Sequence, residues 1–219
     1  MGYEENKIEG RNAVLEAFRS GKTIDKLFVL DGCQDGPIKS ITREARKGDT
    51  IINYVNKERL DQISETGKHQ GVIAISAAYD YAEVEDILAN AESKGEAPFI
   101  IILDGIEDPH NLGAIIRTAN QAGAHGIIIP KRRAVGLTPT VARTSAGAIN
   151  YTPVAKVTNI TQTIKDLKDK GMWFVCADMD GTPMYDLNLT GSIGLVIGNE
   201  GDGVSKLVKE NCDMIATIP

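Results

Sequence analysis

Little in this chain could staple or metallate a small fold. Cys33, Cys176 and Cys212 are odd in number and show no paired spacing, so neither a disulfide framework nor a zinc site is expected. His69, His110 and His125 form no ligand cluster, and no metal is expected. No run of some 18 apolar residues exists, and the start Met1-Gly-Tyr-Glu-Glu-Asn has no signal-peptide pattern. These absences predict a soluble, cytoplasmic protein without a membrane partner. Excess positive charge is lacking too. The formal net charge is −6, which taken alone argues against nucleic acid. Its distribution removes that argument. Residues 1–78 hold 12 basic and 12 acidic side chains, 79–98 hold one against six, and 99–219 hold 11 against 12. Two near-neutral halves remain compatible with RNA.

At 219 residues the chain is long enough for one large domain or two small ones. Residues 1–78 read as a small α/β unit. Helices are expected at 12–20, 38–47 and 57–63, and strands at 26–30, 50–55 and 71–76, with Gly21 and Gly48 as helix stops. Residues 79–97 contain an acidic amphipathic helix (Val84, Ile87, Leu88, Ala91), either a linker or the first layer of a second domain. From 98 to 219 strands and helices alternate, with strands expected at 99–103, 126–129, 151–155, 173–177, 194–197 and 214–218. Helices are expected near 111–122, 139–146, 159–169 and 204–210. That alternation predicts a parallel sheet covered on both faces.

Two stretches carry the chemistry. Phe99-Ile-Ile-Ile-Leu103 is a buried strand, Asp104-Gly105 breaks it, and a helix follows from about Asn111 to a stop at Gly123. Asn111 and Arg117 then sit where a strand-to-helix crossover meets solvent, the ligand edge of a parallel sheet. Their plain alternatives are a helix N-cap and an exposed cation. Residues 194–205, Gly-Leu-Val-Ile-Gly-Asn-Glu-Gly-Asp-Gly-Val-Ser, repeat the strand, loop and helix-start pattern with glycines at 198, 201 and 203. The loop is neither a Walker loop nor G-x-G-x-x-G. Glu200 at its centre would repel phosphate and suits a cationic or hydroxyl-bearing ligand.

Asn111-x-Gly113-x-x-x-Arg117 followed by Gly198-Asn-Glu-Gly201-x-Gly-x-Ser205 resembles the first two signature motifs of the SpoU/TrmH family of RNA ribose 2′-O-methyltransferases. Thr144-Ser-Ala-Gly-Ala148 and Asp178-x-x-Gly181-x-x-x-Tyr-Asp186 also match. Gly10-Arg-Asn-Ala-Val-Leu-Glu-Ala17 and His69-Gln-Gly-Val72 are similar to the substrate-binding domain of its RlmB-like branch, which acts on a 23S rRNA guanosine. The resemblance implies an RNA-binding domain at 1–78, a linker at 79–97 and a SPOUT methyltransferase domain at 98–219 with a deep trefoil knot. It further implies a homodimer, S-adenosylmethionine as methyl donor, and 23S rRNA or tRNA as substrate. Asn111, Arg117 and Glu200 would be catalytic. Gly198, Asn199, Gly201, Ile218 and Pro219 would hold the donor, and Arg11, Asn12, Lys131, Arg132 and Arg143 would touch RNA. The family's third motif starts at Ile218-Pro219 and continues through a Ser-Leu-Asn segment, so the resemblance implies that residues 1–219 leave the knot and the donor pocket incomplete.

Other classes remain. Asp178-Met-Asp-Gly-Thr182 looks like the strand end of haloacid-dehalogenase phosphatases, but only 37 residues follow it. A non-catalytic RNA-binding module is the third reading.

Overall fold

The computed structural model of the protein describes residues 6–218. It divides into two compact units, 1–80 with 136–140, and 81–135 with 141–219.

The first unit runs β1 (Asn6–Glu9), α1 (Arg11–Arg19), β2 (Ile24–Leu30), α2 (Gly36–Lys47), β3 (Ile51–Val55), α3 (Lys57–Ile63) and β4 (Val72–Ser76). Its four-stranded sheet has the order β1-β4-β2-β3, with only β2 and β3 parallel. Val14, Leu27, Val29, Ile38, Ile41 and Val72 form its main core. β1 is absent from the expected elements: four residues of mixed polarity at a sheet edge give no periodic signal. Residues 136–140 join this unit through the Ala78 N–H, which donates to the Leu137 carbonyl at 2.7 Å.

Glu9 clasps the turn after α3. Its carboxylate accepts from Ser64 Oγ (2.7 Å), from Thr66 Oγ1, and from the amides of Glu65 (2.6 Å) and Thr66 (3.4 Å). Burial alone would raise its pKa, but the Thr66 and Ser64 hydroxyls and the two amides outweigh it and hold the group at about 2. The folded value lies below the unfolded one. The clasp therefore stabilises fully above about pH 4.5, and its contribution is lost as pH falls toward 2. Glu9→Gln should lower the melting temperature at pH 6, and the gap to the wild type should close between pH 4.5 and 2. A gap independent of pH would refute this account.

The second unit begins with α4 (Val84–Lys94), which the sequence left open as a linker. The Glu83 amide donates to Asp86 Oδ2 at 2.9 Å, and Gly95 closes the helix at φ 67°. There follow β5 (Phe99–Asp104), α5 (Pro109–Gln121), β6 (Gly126–Pro130), α6 (Pro139–Thr144), β7 (Val154–Val157) and α7 (Ile160–Asp169). β8 (Trp173–Pro183), β9 (Ile193–Gly198), α8 (Lys206–Glu210) and β10 (Met214–Thr217) complete it. All six strands are parallel, in the order β10-β8-β9-β5-β6-β7.

One sheet face buries Ile100, Ile102, Ile128, Phe174 and Val196 under α4, α7 and α8. The opposite face over β8, β9 and β10 is not fully covered, contrary to expectation. Phe99, Val175, Leu195, Ile197 and Ala216 line an apolar cavity of about 580 Å³ there, which Met184 and Leu189 only rim. β7 starts later than expected because the amides of Tyr151 and Thr152 turn back onto the Ala148 carbonyl. β8 is longer than expected. β10 pairs first with Val175 and Cys176, then jumps to Thr182 and Pro183, so that 177–181 bulge from the ladder.

Candidate active site

β5, α5 and β9 bring the two chemistry-bearing stretches together at the carboxyl edge of the parallel sheet. β5 and β9 are neighbours in register, Leu103 beside Ile197 and Asp104 beside Gly198, so the loops leaving them must meet. Asp104 Oδ2 accepts from the Ser205 amide at 2.8 Å, and Asn199 Nδ2 donates to the Gly105 carbonyl at 3.0 Å. The β9 loop is closed on itself. Asn199 and Gly203 exchange backbone hydrogen bonds at 3.1 and 2.9 Å, and Asn199 Oδ1 accepts from the Gly201 amide at 2.7 Å. A Cβ at Gly198 would overlap the Gly203 backbone and the Val204 nitrogen, which is why that position is glycine.

The start of α5 differs from the sequence reading. Asp108, not Asn111, is the N-cap: its Oδ1 accepts from the amides of His110 (2.6 Å) and Asn111 (3.4 Å). Pro109 is the first helical residue, a position where its missing N–H costs nothing, rather than part of the loop. That frees the Asn111 side chain, whose Nδ2 donates to Glu200 Oε1 at 2.7 Å, across 89 residues of sequence. The other motif residue of α5, Gly113, faces Thr144, and a Cβ there would overlap Thr144 Oγ1. Thr144 in turn donates to the Pro109 carbonyl at 3.3 Å. The Thr144-Ser-Ala-Gly segment thus packs on the first turn of α5.

Arg117 lies six residues beyond Asn111 on α5, about 9 Å along the helix axis. It is exposed, and among the described residues its guanidinium has no carboxylate partner. The structure thus joins Asn111 to Glu200 but does not bring Arg117 into their hydrogen bond. Lys131 is half-buried after β6, while Arg132 and Arg143 are exposed. Ile218 is 79% exposed and borders the apolar cavity; Pro219 lies outside the described residues. In the first unit Asn12 is exposed, whereas Arg11 is engaged. Its guanidinium pairs with Asp35 at 2.6 Å and donates from Nε to the Gln70 carbonyl at 3.1 Å.

Asp178, the first aspartate of the phosphatase-like stretch, pairs with Lys209 Nζ at 2.7 Å. That hydrogen bond holds its carboxyl below the usual range. Sequence reasoning missed this pair. The match of Asp178 to the family pattern was visible, but its partner in α8 was not.

The carboxylate held by an amide on a glycine loop lies at the carboxyl edge of a parallel sheet, where enzymes of the α/β class take their ligands. Residues 98–219 match the SpoU rRNA methylase family, and residues 7–82 match the RNA 2′-O ribose methyltransferase substrate-binding family. The chain is 46% identical over 221 residues to the TrmH family tRNA/rRNA methyltransferase YacO of Bacillus subtilis (strain 168), covering 100% of this chain and 88% of that protein. It is 45% identical over 217 residues to a Staphylococcus saprophyticus protein named for the same family, covering 99% and 87%. Among solved structures, the SpoU methyltransferase AviRb of Streptomyces viridochromogenes in complex with AdoMet superposes with a TM-score of 0.58 at 21% identity, covering 99% of this chain and 81% of that one. The AdoMet-bound rRNA methyltransferase of Sinorhizobium meliloti gives 0.57 at 23%, covering 99% and 78%. The first unit and the parallel-sheet unit thus form the fold of these enzymes. The chain belongs to the SpoU/TrmH family of RNA methyltransferases.

Proposed function

We propose that the protein transfers a methyl group from S-adenosylmethionine to a ribose 2′-hydroxyl of guanosine in 23S rRNA, working as a homodimer. The observation that carries this reading is the Asn111–Glu200 pair on the glycine loop. The donor supplies an electrophilic methyl on a positively charged sulfur. The residues present suit such a ligand: Glu200 offers exposed negative charge, and the space beside Gly203 is open, with nothing within 4 Å of where a Cβ would stand. Gly198, Asn199 and Gly201 would hold the donor's adenosine part through their main chain, and Ile218 and Pro219 would complete that set.

In-line attack on the methyl needs the hydroxyl positioned and its developing charge stabilised. Arginine does not lose its proton in proteins. Arg117 therefore clamps the neighbouring phosphate and stabilises the developing alkoxide, while Asn111 keeps Glu200 aimed at the site. Lys131, Arg132 and Arg143 contact phosphates, and the first unit, with Asn12 exposed on α1, grips the RNA.

The test is methyl transfer to 23S rRNA and tRNA transcripts, with the modified ribose mapped. A 2′-O-methylguanosine in 23S rRNA is expected. Methylation confined to tRNA transfers the reading to the tRNA branch. No donor binding by calorimetry, with RNA still bound, leaves an RNA-binding module.

A further inference from the structure

The first unit contains a concavity that none of the family motifs touches. It opens at the carboxyl ends of the parallel pair β2 and β3, beside the helix α2 that connects them, the edge where parallel α/β units take ligands. The cavity is about 480 Å³, within the roughly 300–1,000 Å³ of small-molecule-sized sites. Its floor is Ile38 and Thr42, both buried, and the Thr42 hydroxyl is satisfied by the carbonyls of Ile38 and Lys39.

The rim is built differently. Lys39 and Arg46 come from one face of α2, and among the described residues neither side chain has an acid partner. Across from them stands Tyr54 of the edge strand β3, 52% exposed while the other four residues of the strand are at least partly buried. Asp31, after β2, completes the rim; its Oδ1 accepts from the Gly32 amide, and its other oxygen is free to accept. An aromatic face, two unpaired cations and a carboxylate around one concavity fit a splayed-out nucleotide. The base stacks on the ring, its exocyclic amino group donates to the carboxylate, and its phosphate meets the cations.

We propose that the Tyr54–Asp31–Lys39–Arg46 concavity holds one unpaired nucleotide of the substrate RNA, which rests on the reading of the first unit as the RNA grip. Asp31 turns phosphate away from its own side of the cavity, so the base lies toward Asp31 and Tyr54 and the backbone toward α2. The neighbouring Arg11 does not take part, because Asp35 and the Gln70 carbonyl already hold its guanidinium.

The experiment uses the full chain and a fluorescein-labelled 23S rRNA fragment carrying the methylated guanosine, read by anisotropy over a salt series. Tyr54→Ala should weaken binding roughly tenfold or more with an unchanged salt slope, and Tyr54→Phe should retain it. Lys39→Gln with Arg46→Gln should lower the salt slope by about 0.7 per lost phosphate contact. The same RNA with 4-thiouridine in its unpaired segment should photocrosslink to the peptide containing Tyr54. Wild-type binding unaffected by any of these substitutions would overturn the nucleotide site while leaving the RNA grip standing. Failure of the wild-type chain to bind the fragment or a tRNA transcript would overturn both. Circular dichroism of each variant separates lost binding from lost fold, and if Tyr54→Ala unfolds, an unchanged salt slope in the Lys39→Gln with Arg46→Gln variant together with no crosslink to the Tyr54 peptide would still overturn the site.

Discussion

Lysine in place of Arg117 is expected to leave RNA affinity near that of the wild type and to slow single-turnover methyl transfer about 100-fold or more. Lysine keeps the charge but not the planar fork that holds a phosphate and a developing alkoxide at once. Arg117 is exposed and ion-paired with nothing among the described residues, so the substitution should barely move the melting temperature. The drop in rate would then report chemistry, not folding. A near-normal single-turnover rate would remove Arg117 from the proposed mechanism and leave Asn111 and Glu200 to carry it.

Gly198→Ala is the second large effect. The added methyl would meet main-chain atoms of Gly203 and Val204, which cannot swing aside as a side chain can. The loop would have to open and give up the paired backbone bonds between Asn199 and Gly203. Overpacking of this kind costs about 1–3 kcal/mol, and donor binding should fall below detection in calorimetry. Gly201→Ala is the control: its Cβ would come within 3.4 Å only of the Asn199 Oδ1 atom, so stability should change little. Equal behaviour of the two variants would show that the loop's closure is not what Gly198 serves.

Much of this arrangement could be read from the sequence, because the signals were local. Apolar runs at 99–103 and 194–197 marked what became β5 and β9, and the helix expected near 159–169 is α7, capped by Asn159, whose Oδ1 accepts from the Gln162 amide at 3.1 Å. What escaped was decided by partners far along the chain. Two residues competed to cap α5. Pro109 at the first helical position was the available clue that Asp108 would win and leave Asn111 for Glu200. Arg11 is engaged by Asp35 and the Gln70 carbonyl, partners that its own stretch of sequence does not announce. The jump in the β8–β10 ladder depends on a close approach of Gly181 to the Ile215 carbonyl, and nothing in residues 173–183 alone announces it. Nothing in residues 50–55 alone singles out Tyr54, and only the placement of α2 beside it reveals the concavity.

The hydrogen bond from Ala78 to Leu137 has a bearing on the order of synthesis. As the chain leaves the ribosome, the first unit has all its strands by Ser76, yet one backbone amide at its end still lacks its native acceptor until some sixty further residues have emerged. A gene fragment stopping at residue 97 would therefore yield a unit with a frayed last edge, and protease should nip it near Ala78 sooner than it does the 219-residue chain.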